Sequence, residues 1–250
     1  MRKIFIMLAL AAAASGGAMA YAADTPAAPA VRPFKLAPSA DLDYAIQARQ
    51  RGFSLTGEAL ISWRAADGKY SVQAETRNPL FGKILETRSE GTIDNYGLAP
   101  AQFVEKKFRK SATNTVFNRE TKTISFTDGK LSYPLAGGEQ DRASASWQLV
   151  ALARAAPDKF ITGSEWTFFV AGPHDGEPWT FKVVKREKVS VGGAIGDVEA
   201  VHILRAPPAD DKGQALDIWL APSLDWYPVR LRFADDDDFV EQRLSKMTKR

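Results

Sequence analysis

Two histidines and no cysteine make up the chain's whole stock of its most reactive residue types, across 250 residues. The missing cysteines remove disulfides, thiolate zinc sites, thiol nucleophiles and iron–sulfur ligation. His174 stands beside Asp175, a pairing that can orient a general base. The stretch Gly172-Pro173-His174-Asp175-Gly176 is also ordinary turn composition, and no nucleophile or oxyanion element is identifiable near it. His202 sits between Val201 and Ile203 and is read as a structural strand residue. Asp235 to Asp238 could ligate a hard cation through carboxylates, but the run lacks the glycine and distal glutamate of a calcium loop and reads as a solvated acidic turn. Lys106, Lys107, Arg109 and Lys110 surround Phe108, with Phe103 nearby. That cluster could meet anionic headgroups or polysaccharide, or could simply keep an exposed strand from pairing with another chain. There is no G-x-S-x-G, no H-E-x-x-H, no P-loop and no G-x-G-x-x-G. Gly192-Gly193-Ala194-Ile195-Gly196 lacks the Lys-Ser/Thr of a phosphate loop and reads as a turn. The expectation is a non-enzyme with no catalytic residue, no metal and no cofactor.

The elements that would position a binding site are mostly strands. Phe53, Leu55, Gly57, Ala59, Ile61 and Trp63 alternate with Ser54, Thr56, Glu58, Ser62 and Arg64, the pattern of a half-buried strand. Asp67-Gly68 supplies a hairpin turn before Tyr70, Val72 and Ala74. The same period returns around Thr115 to Phe126, Trp166 to Val170, Trp179 to Arg186, Val198 to Leu204, Leu216 to Leu220, Tyr227 to Phe233 and Phe239 to Leu244. One segment breaks it. Asp141 is a candidate N-cap, and Arg142 to Ala156 is Ala-rich, free of glycine and stopped by Pro157, so it reads as a helix. The expected fold is mainly β: a curved antiparallel sheet or half-open β-barrel of about ten strands, with one α-helix packed on it as lid or plug.

A strongly curved sheet can enclose more apolar wall than its own side chains fill. Trp147, Trp166, Trp179 and Trp219 are the candidate lining of such a cavity, with Arg230 and Arg232 as a candidate rim that would meet a headgroup. Filling an ordinary core is the competing reading of the same tryptophans.

The first residues read as an address. Arg2 and Lys3 precede the apolar run Ile4 to Ala14 and small-x-small cleavage signals ending at Ala20 and Ala22. The run is shorter than the roughly 20 residues that span a bilayer. Residues 1–22 are therefore expected to be a cleaved signal peptide, 23–38 an Ala/Pro-rich linker and 39–250 a single β-rich domain, located in a bacterial periplasm. The formal charge of +3, less the two cations Arg2 and Lys3, leaves +1, which gives no electrostatic case for nucleic acid.

Glu177-Pro178-Trp179-Thr180-Phe181, Leu216-Asp217-Ile218-Trp219-Leu220-Ala221-Pro222-Ser223-Leu224 and Tyr227-Pro228-Val229-Arg230-Leu231 carry a family resemblance. So do Gly57-Glu58-Ala59, Glu90-Gly91, Gly97-Leu98-Ala99-Pro100 and Gln140-Asp141-Arg142. Together they resemble an exported proteobacterial family, domain of unknown function 3108, over roughly Leu36 to Leu244. The general plan is similar to the half-open barrels of periplasmic lipoprotein carriers. The resemblance implies placement in the envelope and no particular activity. Two functions are expected from it together with the fold. One is a periplasmic carrier holding a lipid or acyl chain; the alternative is an envelope assembly or scaffolding protein acting through protein contacts.

Overall fold

The computed structural model describes residues 30–193, 195–206, 214–235 and 237–250. The expected signal peptide 1–22, residues 23–29 of the expected linker, Ala194 of the glycine-rich turn and Asp236 of the acidic turn lie outside the described residues. From Ala40 onward the chain runs β1 (Ala40–Gln50), β2 (Phe53–Ala66), β3 (Lys69–Asn78), β4 (Gly82–Asp94), β5 (Gly97–Lys107), β6 (Thr113–Asn118), β7 (Thr123–Phe126) and β8 (Ser132–Pro134). Then come β9 (Gln140–Asp141), the helix α1 (Ser144–Ala155), β10 (Glu165–Ala171), β11 (Gly176–Ser190), β12 (Asp197–Arg205), β13 (Ala215–Leu220), β14 (Pro228–Asp235) and β15 (Asp238–Lys249).

All the strands belong to one sheet, in the order β8-β7-β6-β5-β4-β3-β2-β1-β15-β14-β13-β12-β11-β10-β9. Among the described residues, fifteen strands replace the expected ten or so. The additional ones have physical reasons for being hard to read. In β4, GKILETRSEGTID is half-exposed on both faces, so it carries no clean alternation. In β5, Pro100 and the basic end interrupt the pattern, and β8 and β9 are only three and two residues long. Every pairing is antiparallel except that of β9 with β10. The β2–β3 connection is the two-residue turn expected, with φ of 52° at Asp67 and 71° at Gly68. Positive φ at both positions matches the twist of the flanking strands.

Inward positions of β1, β2, β3 and β10 to β15 form one apolar cluster together with α1. One helix can touch both halves of the sheet only if the sheet curls around it. Trp147 of α1 stacks on Trp63 of β2, with ring centroids 4.4 Å apart and planes 9° from parallel, and meets Tyr227 edge-on at 6.1 Å. Nine of the helix's twelve residues are buried. The helix is thus a plug rather than a lid. A second, smaller cluster of Phe103, Phe117, Ile124, Phe126 and Ala171 joins β5, β6 and β7 to β10. Tyr133 of β8 approaches Phe169 of β10 at 5.1 Å, so side chains bring the two sheet edges together without closing a barrel.

Residues 30–38 form no regular element and are docked onto the domain. Lys35 donates its amide to Ala151 O at 2.9 Å. Trp63 Nε1 donates to Ala37 O at 3.0 Å, and Tyr227 OH donates to Pro38 O at 2.6 Å. This part of the linker straps the helix against the sheet.

Candidate functional site

The interior that α1 occupies is pinned by polar contacts at both ends of the helix. At its start, Asp141 is fully buried and its Oδ1 accepts the amides of Ala143 at 2.8 Å and Ser144 at 2.9 Å. Its Oδ2 accepts Ser89 Oγ at 2.5 Å, and Tyr70 OH lies 3.0 Å from the same hydroxyl. Asp141 is not the N-cap expected: the helix starts at Ser144 behind Ala143, and Asp141, two residues before that cap position, accepts the Ala143 and Ser144 amides instead. Burial raises its pKa from 3.8 to about 6, against the lowering effect of these hydrogen bonds. Burial and the Asp141 charge likewise push the Tyr70 phenol well up. Among the described residues no histidine or further carboxylate is hydrogen-bonded to this knot, so its chemistry is that of an anchor. One turn on, Gln148 Nε2 donates to Tyr96 O at 2.7 Å and its Oε1 accepts the Leu98 amide at 2.9 Å. At the far end Arg154 donates to Asp225, which also pairs with Lys249 at 2.6 Å.

The four candidate tryptophans do not share one site. Trp147, on α1, faces Trp63 in the interior. Trp166 and Trp179 also point inward, in register with Phe181 and Phe168. Trp166 stacks on Phe160 at 4.6 Å, Phe160 meets Trp226 at 5.8 Å, and Arg32 of the strap lies 5.0 Å over the Trp166 ring. The Trp166 Nε1 atom is buried and has no hydrogen-bond partner among the described residues. Trp179 lies near the Arg205 guanidinium, 4.6 Å from its ring, and donates to Glu177 at 2.9 Å.

Trp219 is on the other face. It is one step out of phase with Ile218 and Leu220, so its ring turns to the opposite side of β13, where it is nonetheless buried. It stacks on His202 at 4.3 Å, donates through Nε1 to Glu187 at 2.9 Å and lies 4.4 Å from the Arg230 guanidinium. His202 Nε2 is 2.6 Å from Asp217 Oδ1, and its Nδ1 is 3.7 Å from Glu187. Arg230 and Arg232 continue this outer cluster rather than standing free. Both converge on the nearly buried Glu241, at 2.5 and 3.8 Å, where Arg243 joins at 2.6 Å. Burial alone would raise the Glu241 pKa, but the bonds from Arg230 and Arg243 outweigh it and the net shift is downward.

His174 is exposed and 3.4 Å from Asp128, while its neighbour Asp175 faces Arg142 at 3.5 Å, so the adjacent pair does not act as a unit. Among the described residues, no group of three or more His, Asp or Glu side chains could hold a metal ion, and no helix is long and apolar enough to cross a membrane. Sequence reasoning missed the Ser89–Asp141–Tyr70 knot, because its members lie on β4, β9 and β3 and meet only in the folded chain. A shallow depression lies beside the strap, lined by Val31, Arg32, Pro33, Phe34, Asp94 and Asn95.

Comparison with curated proteins finds no match. Among solved structures, the chain is similar to a β-barrel-like protein of domain of unknown function DUF1849 from Brucella abortus. The identity is 13%, the coverage 87% of this chain and 99% of that one, and the TM-score 0.59. That likeness shows the fold. A structure described as an outer membrane lipoprotein-sorting protein domain from Vibrio parahaemolyticus aligns at 8% identity over 85% of this chain and 86% of that one, with a TM-score of 0.30. A DUF1329 family protein from Desulfovibrio piger aligns at 8% identity over the same shares, with a TM-score of 0.28. The family described as protein of unknown function (DUF3108) matches residues 42–244, nearly the whole described domain, and the chain belongs to that family.

Proposed function

We propose that this is an exported, non-enzymatic binding protein of the bacterial envelope that accommodates a lipid or acyl chain between the curved sheet and α1. The observation that carries this reading is Trp166. A buried indole N–H ordinarily finds an acceptor, and this one has none among the described residues, in an aromatic run with Phe160 and Trp226. An apolar chain packed along those rings, with an ester, carboxylate or phosphate oxygen at Trp166 Nε1, would satisfy it. Trp147 and Trp179 are the further lining residues in this proposal, and displacement of the 30–38 strap opens the way in. Export rests on the address-like residues 1–22. The non-enzymatic part is supported by two histidines that are each engaged with carboxylates.

Native mass spectrometry of the protein purified gently from its own periplasm, with lipid extraction in parallel, tests the reading. A bound species of defined mass, weakened in Trp166→Phe, is the expected result. A bare protein that stays bare when offered envelope lipids would sink it and favour the scaffolding alternative.

A further inference from the structure

We infer that the end of the sheet formed by the β1–β2, β3–β4 and β5–β6 hairpin tips docks on the surface of an anionic lipid bilayer. The three tips are neighbours, because β1 to β6 are consecutive in the sheet and their odd-to-even turns all fall at one end. The β1–β2 tip overhangs. Strand β2 pairs with β1 from Trp63 down to Phe53, whereas its pairing with β3 stops at Glu58. Phe53 and Leu55 share a face with the buried Ala59 and Trp63, yet Phe53 is 72% exposed, because the neighbouring strand that would cover it has ended. The next tip carries Leu80 and Phe81, 84% and 61% exposed, where turns ordinarily carry small polar residues. Phe81 touches the third tip, with its ring 6.1 Å from that of the exposed Phe108. Asn78 Nδ2 bonds Thr56 O at 3.1 Å and ties the first two tips together.

Charge decides the partner. Segments 49–55, 77–83 and 106–112 contain eight Lys and Arg residues and no Asp or Glu, and all eight are exposed. Arg77 and Lys83 are paired with Glu75 and Lys107 with Glu105, on the strands behind the tips. Glu86 also faces Lys83, at 3.1 Å, and Asp238 accepts the Arg51 amide at 2.8 Å. Lys106 and Lys110 have no acidic partner among the described residues, and Arg109 lies over the Phe108 ring at 4.9 Å. Protruding rings flanked by cations suit the headgroup–acyl boundary, where the rings are buried and the cations meet phosphates. A flat or grooved protein partner would instead leave prongs of this kind partly uncovered. The inference is independent of whether the interior holds a ligand.

The absence of cysteine allows a site-specific test. Leu80→Cys carries an environment-sensitive dye at the second tip, and Glu120→Cys carries the same dye in the β6–β7 turn at the opposite end. With vesicles containing phosphatidylglycerol, the dye at position 80 is expected to shift blue and the dye at position 120 to stay unchanged. Pure phosphatidylcholine vesicles should give binding at least about tenfold weaker, and high salt should weaken the anionic response. Replacing Lys106, Lys107 and Lys110 with Gln together should lower partitioning by up to about 100-fold, from roughly fivefold per cation. Silence at position 80, equal shifts at both positions, or equal responses to the two lipids would each overturn the inference. So would a shift at position 80 produced by an envelope protein fraction but not by vesicles, which would assign the tips to a protein partner.

Discussion

Asp141 offers a perturbation whose sign and size follow from geometry. Its carboxylate has no exposed surface, accepts three hydrogen bonds and titrates at about 6 instead of 3.8. An acid whose folded pKa is raised binds its proton more tightly folded than unfolded. The stabilisation is present below the unfolded pKa and is lost as pH rises through about 6, at a rate set by the proton difference. A shift of about two units corresponds to about 3 kcal/mol. Asp141→Asn keeps an oxygen for the Ala143 and Ser144 amides, and its NH2 group meets Ser89 Oγ, which can turn to accept. It does not titrate. Urea unfolding followed by tryptophan fluorescence, from about pH 4 to about pH 7.5, should therefore show the wild type losing up to about 3 kcal/mol relative to Asp141→Asn as pH rises. Asp141→Ala leaves three donors without their acceptor at about 1–3 kcal/mol each and should lose at least about 3 kcal/mol at every pH. A wild-type-minus-Asn difference that is flat across this range, or that grows in the opposite direction, refutes the reasoning.

Three further outcomes are expected. Trp147→Ala empties the stack between Trp63 and Tyr227 and should cost about 3–5 kcal/mol in the same unfolding assay. Glu241→Gln removes the shared counter-charge of Arg230, Arg232 and Arg243 and should cost about 2 kcal/mol near neutral pH. Because the Glu241 pKa is lowered, that cost is present above the ordinary value of 4.5 and fades as pH falls below it. Gly91→Ala places a methyl group 2.1 Å from Ala99 O at the bulge between β4 and β5, where backbone cannot yield cheaply. A loss of about 1–3 kcal/mol in a circular-dichroism melt is expected.

The fold class was legible because alternation is a local signal. The hairpin at Asp67-Gly68, the strands around Trp179 and Ile218, and the helix before Pro157 all declare themselves in a few residues. What was not legible depends on neighbours. Phe53 and Leu55 read as core from their phase, and only the early end of β3 pairing makes them exposed. Trp219 entered the candidate lining on residue type, although its phase against Ile218 already placed it on the opposite face. The Asp141–Ser89 bond joins residues 52 apart in sequence, and no periodicity foretells it. Arg230 and Arg232 carried no sign of Glu241, since their convergence depends on the register between β14 and β15.

The order of strands in the sheet has a consequence for how the chain assembles. β1 to β8 form one meander of nearest neighbours and β10 to β15 another, and among the described residues the two are joined by strand pairing where β1 lies against β15. That seam joins Ala40 to Lys249, the widest sequence separation of any ladder in the sheet. Each meander can zip from its own hairpins at small entropic cost, whereas the seam closes a loop of some two hundred residues and so belongs late in folding. A circularly permuted chain, opened between β8 and β9 and joined between β15 and β1, would have sequence order equal to spatial order, with one meander running from β10 through to β8. In the natural order, the middle of the sheet is the last part to be supplied. Until β15 arrives, β1 keeps an unpaired edge and the helix has only half its wall, so the native sheet cannot be completed while residues 238–249 are still being delivered.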